Sequence, residues 1–310
     1  MNRRALRLTA LTLALAVILV TVLAGCSRGP SEFDQIAAAA DKYLSAGRAP
    51  TISAEDVQNK IVIGKDPSYF LLSVRKPEDD AKGHVPGAIT IPWTQIYKPE
   101  NLAKLPKDKK IVVICYTGHT ASQVTMLLNL LGYEAYAMKF GMSAWTDNKD
   151  ILGMAVPVLN PGNYPMDTGV NNGKPEYTPP VLKTGKKDLN GIILARAEAY
   201  LTAGKPVTIS AEEVYNKAVV GKDPSYFILS VRSNEHDAKG HIPGAITIPF
   251  KEIAKPENLK KLPTNKKIIV VCYTGHTASQ TAMLLQLLGY DAYAMKFGMS
   301  AWTDNKDVLA

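Results

Sequence analysis

The chain has 310 residues, 46% of them apolar and 21% charged, with a formal charge of +8 at neutral pH. This length accommodates two ordinary domains. The apolar share is too high for a disordered chain and too low for a polytopic membrane protein, so one soluble core per domain is expected.

The first residues carry Arg3, Arg4 and Arg7, then an apolar run from Leu8 to Leu23, then Leu23-Ala24-Gly25-Cys26. A basic start, an apolar stretch and small residues at the end form an export signal. The ending resembles a bacterial lipoprotein box, which implies cleavage before Cys26 and lipid attachment there. A single membrane-spanning anchor is the less favoured alternative, because the run is short and ends in small residues. Both readings place the bulk of the chain outside the cytoplasm, on the periplasmic or outer cell-surface side, tethered to a membrane. The three arginines lie in this segment without an acidic residue, so the remainder carries +5. Its lysines are scattered, with short clusters at Lys107–Lys110 and Lys183–Lys187, a solvated surface rather than a nucleic-acid site.

The organisation read from the sequence is a signal over residues 1–25, a tether over 26–35, a first domain over 36–153, a linker over 154–190 and a second domain over 191–310. A helix is predicted over 36–47, with a counterpart over 193–203. Ser53 and Ser210 have the pattern of helix N-caps, with Asp56 and Glu213 three residues on. Buried-strand patterns follow at 69–74 and 226–231, and short strands at 88–91 and 245–248 stop at Pro92 and Pro249. The run Ile111-Val-Val-Ile-Cys115 leads into the polar loop Tyr116-Thr117-Gly118-His119-Thr120, and Val124, Leu127, Leu128 and Leu131 then repeat at helical spacing. Further strands are expected at 134–138 and 291–295. The linker is rich in Pro, Gly and Asn, and Tyr164 and Tyr177 are candidates for docking it onto a domain.

A constant offset of 157 positions maps the first half onto the second without a gap. It carries Cys115 onto Cys272 and Gly83-His-Val-Pro-Gly-Ala88 onto Gly240-His-Ile-Pro-Gly-Ala245. A repeat this long is a whole domain. Strands alternating with helices imply a mainly parallel sheet covered on both faces, with ligands beyond the carboxyl ends of the strands, where both cysteines fall.

A cysteine between a strand end and a helix start meets unpaired main-chain N–H groups and the positive end of the helix dipole. That setting biases a thiol toward the reactive thiolate. The bland alternative is a buried cysteine acting as a small apolar residue. Gly118 and Gly275 allow the backbone conformation the loop needs. In an exported protein paired cysteines suggest a disulfide, but a bridge would require the two equivalent loops to face each other at bonding distance, so two free thiols are favoured. No Cys/His cluster has metal-ligand spacing, and neither metal nor cofactor is expected.

Ser73-Val-Arg75, Gly83–Ala88, the Cys115 loop and Gly141-Met-Ser-Ala-Trp145, repeated as Ser230-Val-Arg232, Gly240–Ala245, Cys272 and Gly298–Trp302, together resemble the tandem-domain rhodanese (sulfurtransferase) family in a bacterial lipoprotein form. The resemblance implies two α/β domains and a cycle in which a cysteine takes a sulfane sulfur from thiosulfate, polysulfide or a persulfide and passes it to a thiol or cyanide. On it Cys115 and Cys272 are the nucleophiles. Tyr116, Thr117, Gly118, His119 and Thr120, with Tyr273, Thr274, Gly275, His276 and Thr277, form the substrate cradles. Thr120 and Thr277 either donate to the anion or cap the helix. His119 and His276 either supply positive charge or face solvent, the second being favoured. Arg75 and Arg232 either help bias the site positive or make an internal pair, again the second. His84 and His241 are read as structural turn residues.

The family commonly has aspartate where Ser73 and Ser230 stand, so the usual Asp–Arg pair is missing or replaced. Asp79 and His236 stand where a donor-binding arginine can lie, and neither Tyr116–Ser122 nor Tyr273–Ser279 holds an arginine or lysine for an anionic donor. Ala121 and Ala278 stand where the related phosphatases carry arginine, so phosphate chemistry is not expected. The competing functions are a non-catalytic sulfur carrier or sulfur-anion-binding module, and a thiol redox sensor.

Overall fold

Two copies of one five-stranded parallel sheet, related by the sequence repeat, form the frame of the computed structural model, which describes residues 29–48, 50–153 and 159–309. The lipoprotein-like segment and Cys26 lie outside the described residues, and no helix among these is long and apolar enough to cross a membrane.

The first sheet contains β1 (Thr51–Ile52), β2 (Tyr69–Ser73), β3 (Ile89–Thr90), β4 (Lys110–Ile114) and β5 (Glu134–Met138), in the order β1-β5-β4-β2-β3. The second contains β6 (Thr208–Ile209), β7 (Tyr226–Ser230), β8 (Ile246–Thr247), β9 (Lys267–Val271) and β10 (Asp291–Met295), in the equivalent order β6-β10-β9-β7-β8. All the strand pairings are parallel, and each cysteine follows the central strand of its sheet.

Strand alternation decides where the cysteines point. Ile111, Val113 and Cys115 belong to one core, whereas Val112 and Ile114 belong to another on the opposite face. In the second repeat Ile268, Val270 and Cys272 join that first core, while Ile269 and Val271 face away. One apolar core is thus shared by the inner faces of both sheets, and both cysteines lie on its side.

Four long helices fill the shared core: α1 (Glu32–Ser45), α2 (His119–Leu130), α3 (Leu189–Leu201) and α4 (His276–Leu287). The outer faces are covered by shorter turns, including π-helical segments at Val57–Ile63 and Tyr215–Val220. Helices α2 and α4 lie against one another across a pseudo-twofold axis. Gln123 on α2 accepts from Tyr200 Oη at 2.9 Å and donates to the Val207 carbonyl at 3.5 Å; Gln280 on α4 accepts from Tyr43 Oη at 3.2 Å and donates to the Pro50 carbonyl at 3.4 Å. The two sets of partners are themselves related by the repeat. Val124, Leu127 and Leu128 are completely buried, each contributing roughly 1.5–3 kcal/mol by leaving water.

Helix α1 starts at Glu32, within the stretch read as tether, and α3 starts at Leu189, within the stretch read as linker. Asp188 caps α3 by accepting from the Gly191 N–H at 2.8 Å, a start signal the sequence reading passed over. Ser53 and Ser210 cap as expected. The linker docks on the second domain: Tyr164 stacks on Tyr215 with ring centroids 4.4 Å apart, and the Tyr177 N–H donates to the Lys260 carbonyl at 2.8 Å.

Candidate functional site

Each site begins where a central strand gives out. After Ile114 the chain turns through Cys115–Gly118 and enters α2 at His119. Gly118 takes a φ of +86° and Gly275 a φ of +88°, the left-handed region that glycine tolerates best. This geometry aims the Gly118 N–H at the Cys115 sulfur, 3.1 Å away, and the Gly275 N–H at the Cys272 sulfur, 3.0 Å away. Main-chain N–H groups of Ala121, Thr117 and Thr120 also favour the Cys115 thiolate.

Burial outweighs them. Cys115 is only 2% exposed, and its thiol is raised above the ordinary range, with loss of solvation the largest cause and the N–H groups acting against it. The expected bias of the resting thiol toward thiolate is therefore corrected at Cys115. The N–H groups around the sulfur oppose the effect of burial without reversing it. Both cysteines are free.

A cavity of about 220 Å³ leads to Cys115. Pro92 and Trp93 form an apolar wall, Tyr116 and Thr120 line the loop side, and Lys76 and Thr94 stand at the rim. Trp93 is braced by Tyr200 of the second repeat in an edge-to-face contact of 6.3 Å. Gly118 and Gly275 hold the N-cap positions without a side-chain cap, so the capping role considered for Thr120 and Thr277 is not realised.

Tyr116 folds away from the sulfur. Its hydroxyl donates to Asp79 at 2.7 Å, accepts from the Lys76 N–H at 3.1 Å, and its ring covers the Arg75 guanidinium at 5.2 Å. Burial, with help from the Asp79 charge, pushes its phenol up to about 12. In the second repeat the Tyr273 hydroxyl meets His236 Nδ1 at 2.6 Å and its ring covers Arg232 at 5.0 Å. The tyrosine brackets thus differ at Asp79/His236 and at Lys76/Ser233, where the Ser233 hydroxyl also accepts from Tyr273 at 3.4 Å.

Arg75 and Arg232 are struts. Arg75 pairs with Asp80 at 3.2 Å and donates to the carbonyls of Gly83, Asp79 and Ile151. Arg232 pairs with Asp237 at 2.8 Å and donates to the carbonyls of Gly240, His236 and Val308. The substrate-binding role considered for them meets a geometric obstacle, since each guanidinium is fully buried and already engaged. The internal Asp–Arg pair is replaced rather than missing. Asp80 supplies the carboxylate from the next turn, and Ser73 Oγ donates to it at 2.6 Å. His84 and His241 contact the carbonyls of Asp80 and Asp237 through Nδ1, in keeping with turn roles.

His119 and His276 overturn the expectation that they face solvent. They are 3% and 4% exposed, nearly parallel, with ring centroids 6.0 Å apart at the domain interface. Burial pushes His119 down to about 3, helped by His276 and Lys296, and pushes His276 down to about 4, helped by Lys139. At neutral pH both are uncharged, so neither supplies positive charge. In each, Nε2 accepts a main-chain N–H from the other repeat, which places the proton on Nδ1, against Thr117 Oγ1 in one loop and Thr274 Oγ1 in the other.

The chain matches the family described as Rhodanese-like domain over residues 53–148 and 210–305. It is 35% identical over 83 residues to a Bacillus subtilis (strain 168) protein provisionally named sulfurtransferase YtwF, a match covering 27% of this chain and 79% of the relative. It is 27% identical over 95 residues to a protein of Allochromatium vinosum named sulfurtransferase, covering 30% and 85% of the two chains. In other curated relatives the match spans half or less of their length. A solved rhodanese-related protein from Thermoplasma volcanium aligns with a TM-score of 0.28 and 27% identity, over 31% of this chain and 90% of that one. With both repeats matched, the chain belongs to the rhodanese-like domain family.

Proposed function

We propose that the protein is a rhodanese-type sulfurtransferase in which Cys115 and Cys272 each carry a sulfane sulfur as a persulfide. The observation that carries this reading is the ring of main-chain N–H groups around the Cys115 sulfur, with the Gly275 N–H on Cys272 repeating it. Such a ring stabilises negative charge on sulfur as an oxyanion hole does on oxygen.

The cysteine thiol gives up its proton to solvent, and the resulting thiolate attacks the outer sulfur of the donor. A new sulfur–sulfur bond forms, and the donor's own sulfur–sulfur bond breaks, its electron pair leaving on sulfite or a thiolate. An acceptor thiolate or cyanide then attacks the outer sulfur of the enzyme persulfide, and the cysteine departs as thiolate, ready for another turn. The terminal persulfide sulfur carries the charge the cradle is arranged to receive.

The apolar wall of Pro92 and Trp93 beside Cys115 favours a donor with an organic body, such as a low-molecular-weight persulfide or polysulfide, over thiosulfate. The engagement of Arg75 with Asp80 and three carbonyls points the same way, because the buried cation lining the Cys115 cavity is already paired. The signal-like N-terminus supports an exported protein anchored to a membrane through lipidated Cys26.

Steady-state transfer from thiosulfate and from a glutathione persulfide to cyanide tests the reading, with Cys115→Ala, Cys272→Ala and the double variant alongside. Activity in the parent that falls on the order of a thousandfold or more in the double variant supports it. Equal turnover in parent and double variant defeats it. Membrane-fraction protein whose Cys26 carries no lipid mass would defeat the anchoring part.

A further inference from the structure

The two cysteine cradles lie back to back, and each histidine reaches out of its own cradle into the other repeat. His276 Nε2 accepts the Phe140 N–H at 2.9 Å, and His119 Nε2 accepts the Phe297 N–H at 3.0 Å. The two phenylalanines have φ values of +58° and +61°, in a region that side-chain-bearing residues rarely adopt. Such a conformation persists only when its surroundings hold it.

The held turn is the floor of the cysteine loop. Gly141 follows Phe140 so close to the strand end that a Cβ on it would lie 2.2 Å from the Cys115 carbonyl oxygen, and Gly298 stands in the same relation to Cys272. The Met142 N–H then donates to the Cys115 carbonyl at 2.7 Å and the Ser143 N–H to the Tyr116 carbonyl at 2.9 Å. Met299 and Ser300 repeat these bonds to Cys272 and Tyr273 at 2.8 and 3.0 Å. An unbroken path of contacts therefore runs from His276 to the backbone of Cys115, and another from His119 to that of Cys272.

Glycine makes room for this arrangement. A Cβ on Gly118 would lie 2.4 Å from His276 Nε2, and one on Gly275 would lie 2.4 Å from His119 Nε2. The Tyr200 brace on Trp93 is a second, separate contribution of one repeat to the other's site.

We propose that His119 and His276 are reciprocal positioning residues, each fixing the turn that shapes the other repeat's cysteine cradle, so that neither site is complete in one repeat alone. This rests on the sulfurtransferase reading in taking the two cysteines as the reacting atoms. An unpaired buried N–H is costly, so losing the imidazole frees the strained turn to relax.

The test uses the full chain carrying Cys272→Ala, so that only Cys115 reports. His276→Ala is compared with His276→Gln, whose amide oxygen is able to accept the Phe140 N–H. Two quantities are followed: amide hydrogen exchange in the segment containing Phe140 and Met142, and sulfur loading of Cys115 from polysulfide. His276→Ala is expected to speed exchange there about tenfold and slow loading about tenfold, with His276→Gln recovering most of both. Unchanged exchange in that segment with unchanged loading overturns the proposal. So does a glutamine variant as impaired as the alanine variant while its unfolding midpoint matches the parent's. If the parent loads no sulfur, the sulfurtransferase reading fails, and the exchange arm alone still decides whether the histidine holds the turn. The mirror experiment, His119 substituted in a Cys115→Ala chain, must give the same result at Phe297 and Cys272.

Discussion

Arg75 and Asp80 form a buried ion pair, 3.2 Å between nitrogen and oxygen, beside the Cys115 cavity that Arg75 helps to line. Ser73 and Thr90 donate hydroxyl hydrogen bonds to the same carboxylate. The pair ties the end of β2 to the turn after it, and the Arg75 guanidinium lies under the ring of Tyr116.

Removing one partner of such a pair strands the other charge. Arg75→Ala is expected to destabilise the fold by about 3–5 kcal/mol, read as a lower urea midpoint with an unchanged slope. The apparent KM for a small donor should change little in the protein that remains folded. A large rise in KM with full stability would show instead that Arg75 binds substrate.

Acid should loosen the molecule through the two interface histidines. Free histidine titrates near 6.5, whereas His119 and His276 are held down at about 3 and about 4. A depressed pKa means the unfolded chain takes up these protons first. Their contribution is complete above pH 6.5 and is lost progressively as the pH falls through about 4 to about 3. Together the two groups remove on the order of several kcal/mol at the acid end. Thermal unfolding followed from pH 7 downward should show this loss, and His119→Gln with His276→Gln should flatten the curve. An equally steep curve in the double variant would assign the acid sensitivity to other groups.

Burial of the Cys115 thiol gives a kinetic signature. Its alkylation by iodoacetamide, resolved from that of Cys272 by peptide mass spectrometry, should keep rising about tenfold per pH unit past the ordinary cysteine value of about 8.5. A plateau at neutral pH would mean that the main-chain N–H groups outweigh burial after all.

Gly118 carries two constraints at once, a positive φ and the nearness of His276. Gly118→Ala is expected to cost about 2 kcal/mol or more. Part of that cost comes from the imidazole, so in a His276→Ala background the same change should cost less. Strict additivity in the double-mutant cycle would show that the glycine serves its own loop only.

Much of this architecture is legible in the chain because local patterns report it. The run ending at Cys115 is a central strand, the leucines after it mark a helix, and the 157-residue offset makes the second half a copy of the first. What local pattern leaves out is everything one repeat does to the other. Helix α2 reads as having a single apolar face, yet Ser122, Gln123 and Thr125 are buried along with it, because the opposite side packs on the second repeat. Gln123 and Gln280, repeated at the same place in helices α2 and α4, are the sequence signal for that contact. His119 looks like a solvent-facing loop residue for the same reason, since only the partner repeat removes it from water. The partner of Arg75 is not legible in the sequence because it comes from the following turn rather than from the position at Ser73.

The central claim, that both cysteines carry sulfur, is tested most directly by intact-protein mass spectrometry. A reduced, folded protein beginning after Cys26 is treated with polysulfide, then with excess cyanide, alongside Cys115→Ala and Cys272→Ala. One added sulfur atom per remaining cysteine, removed completely by cyanide, is the expected result. No adduct on either cysteine, in protein shown to be folded and reduced, would contradict it.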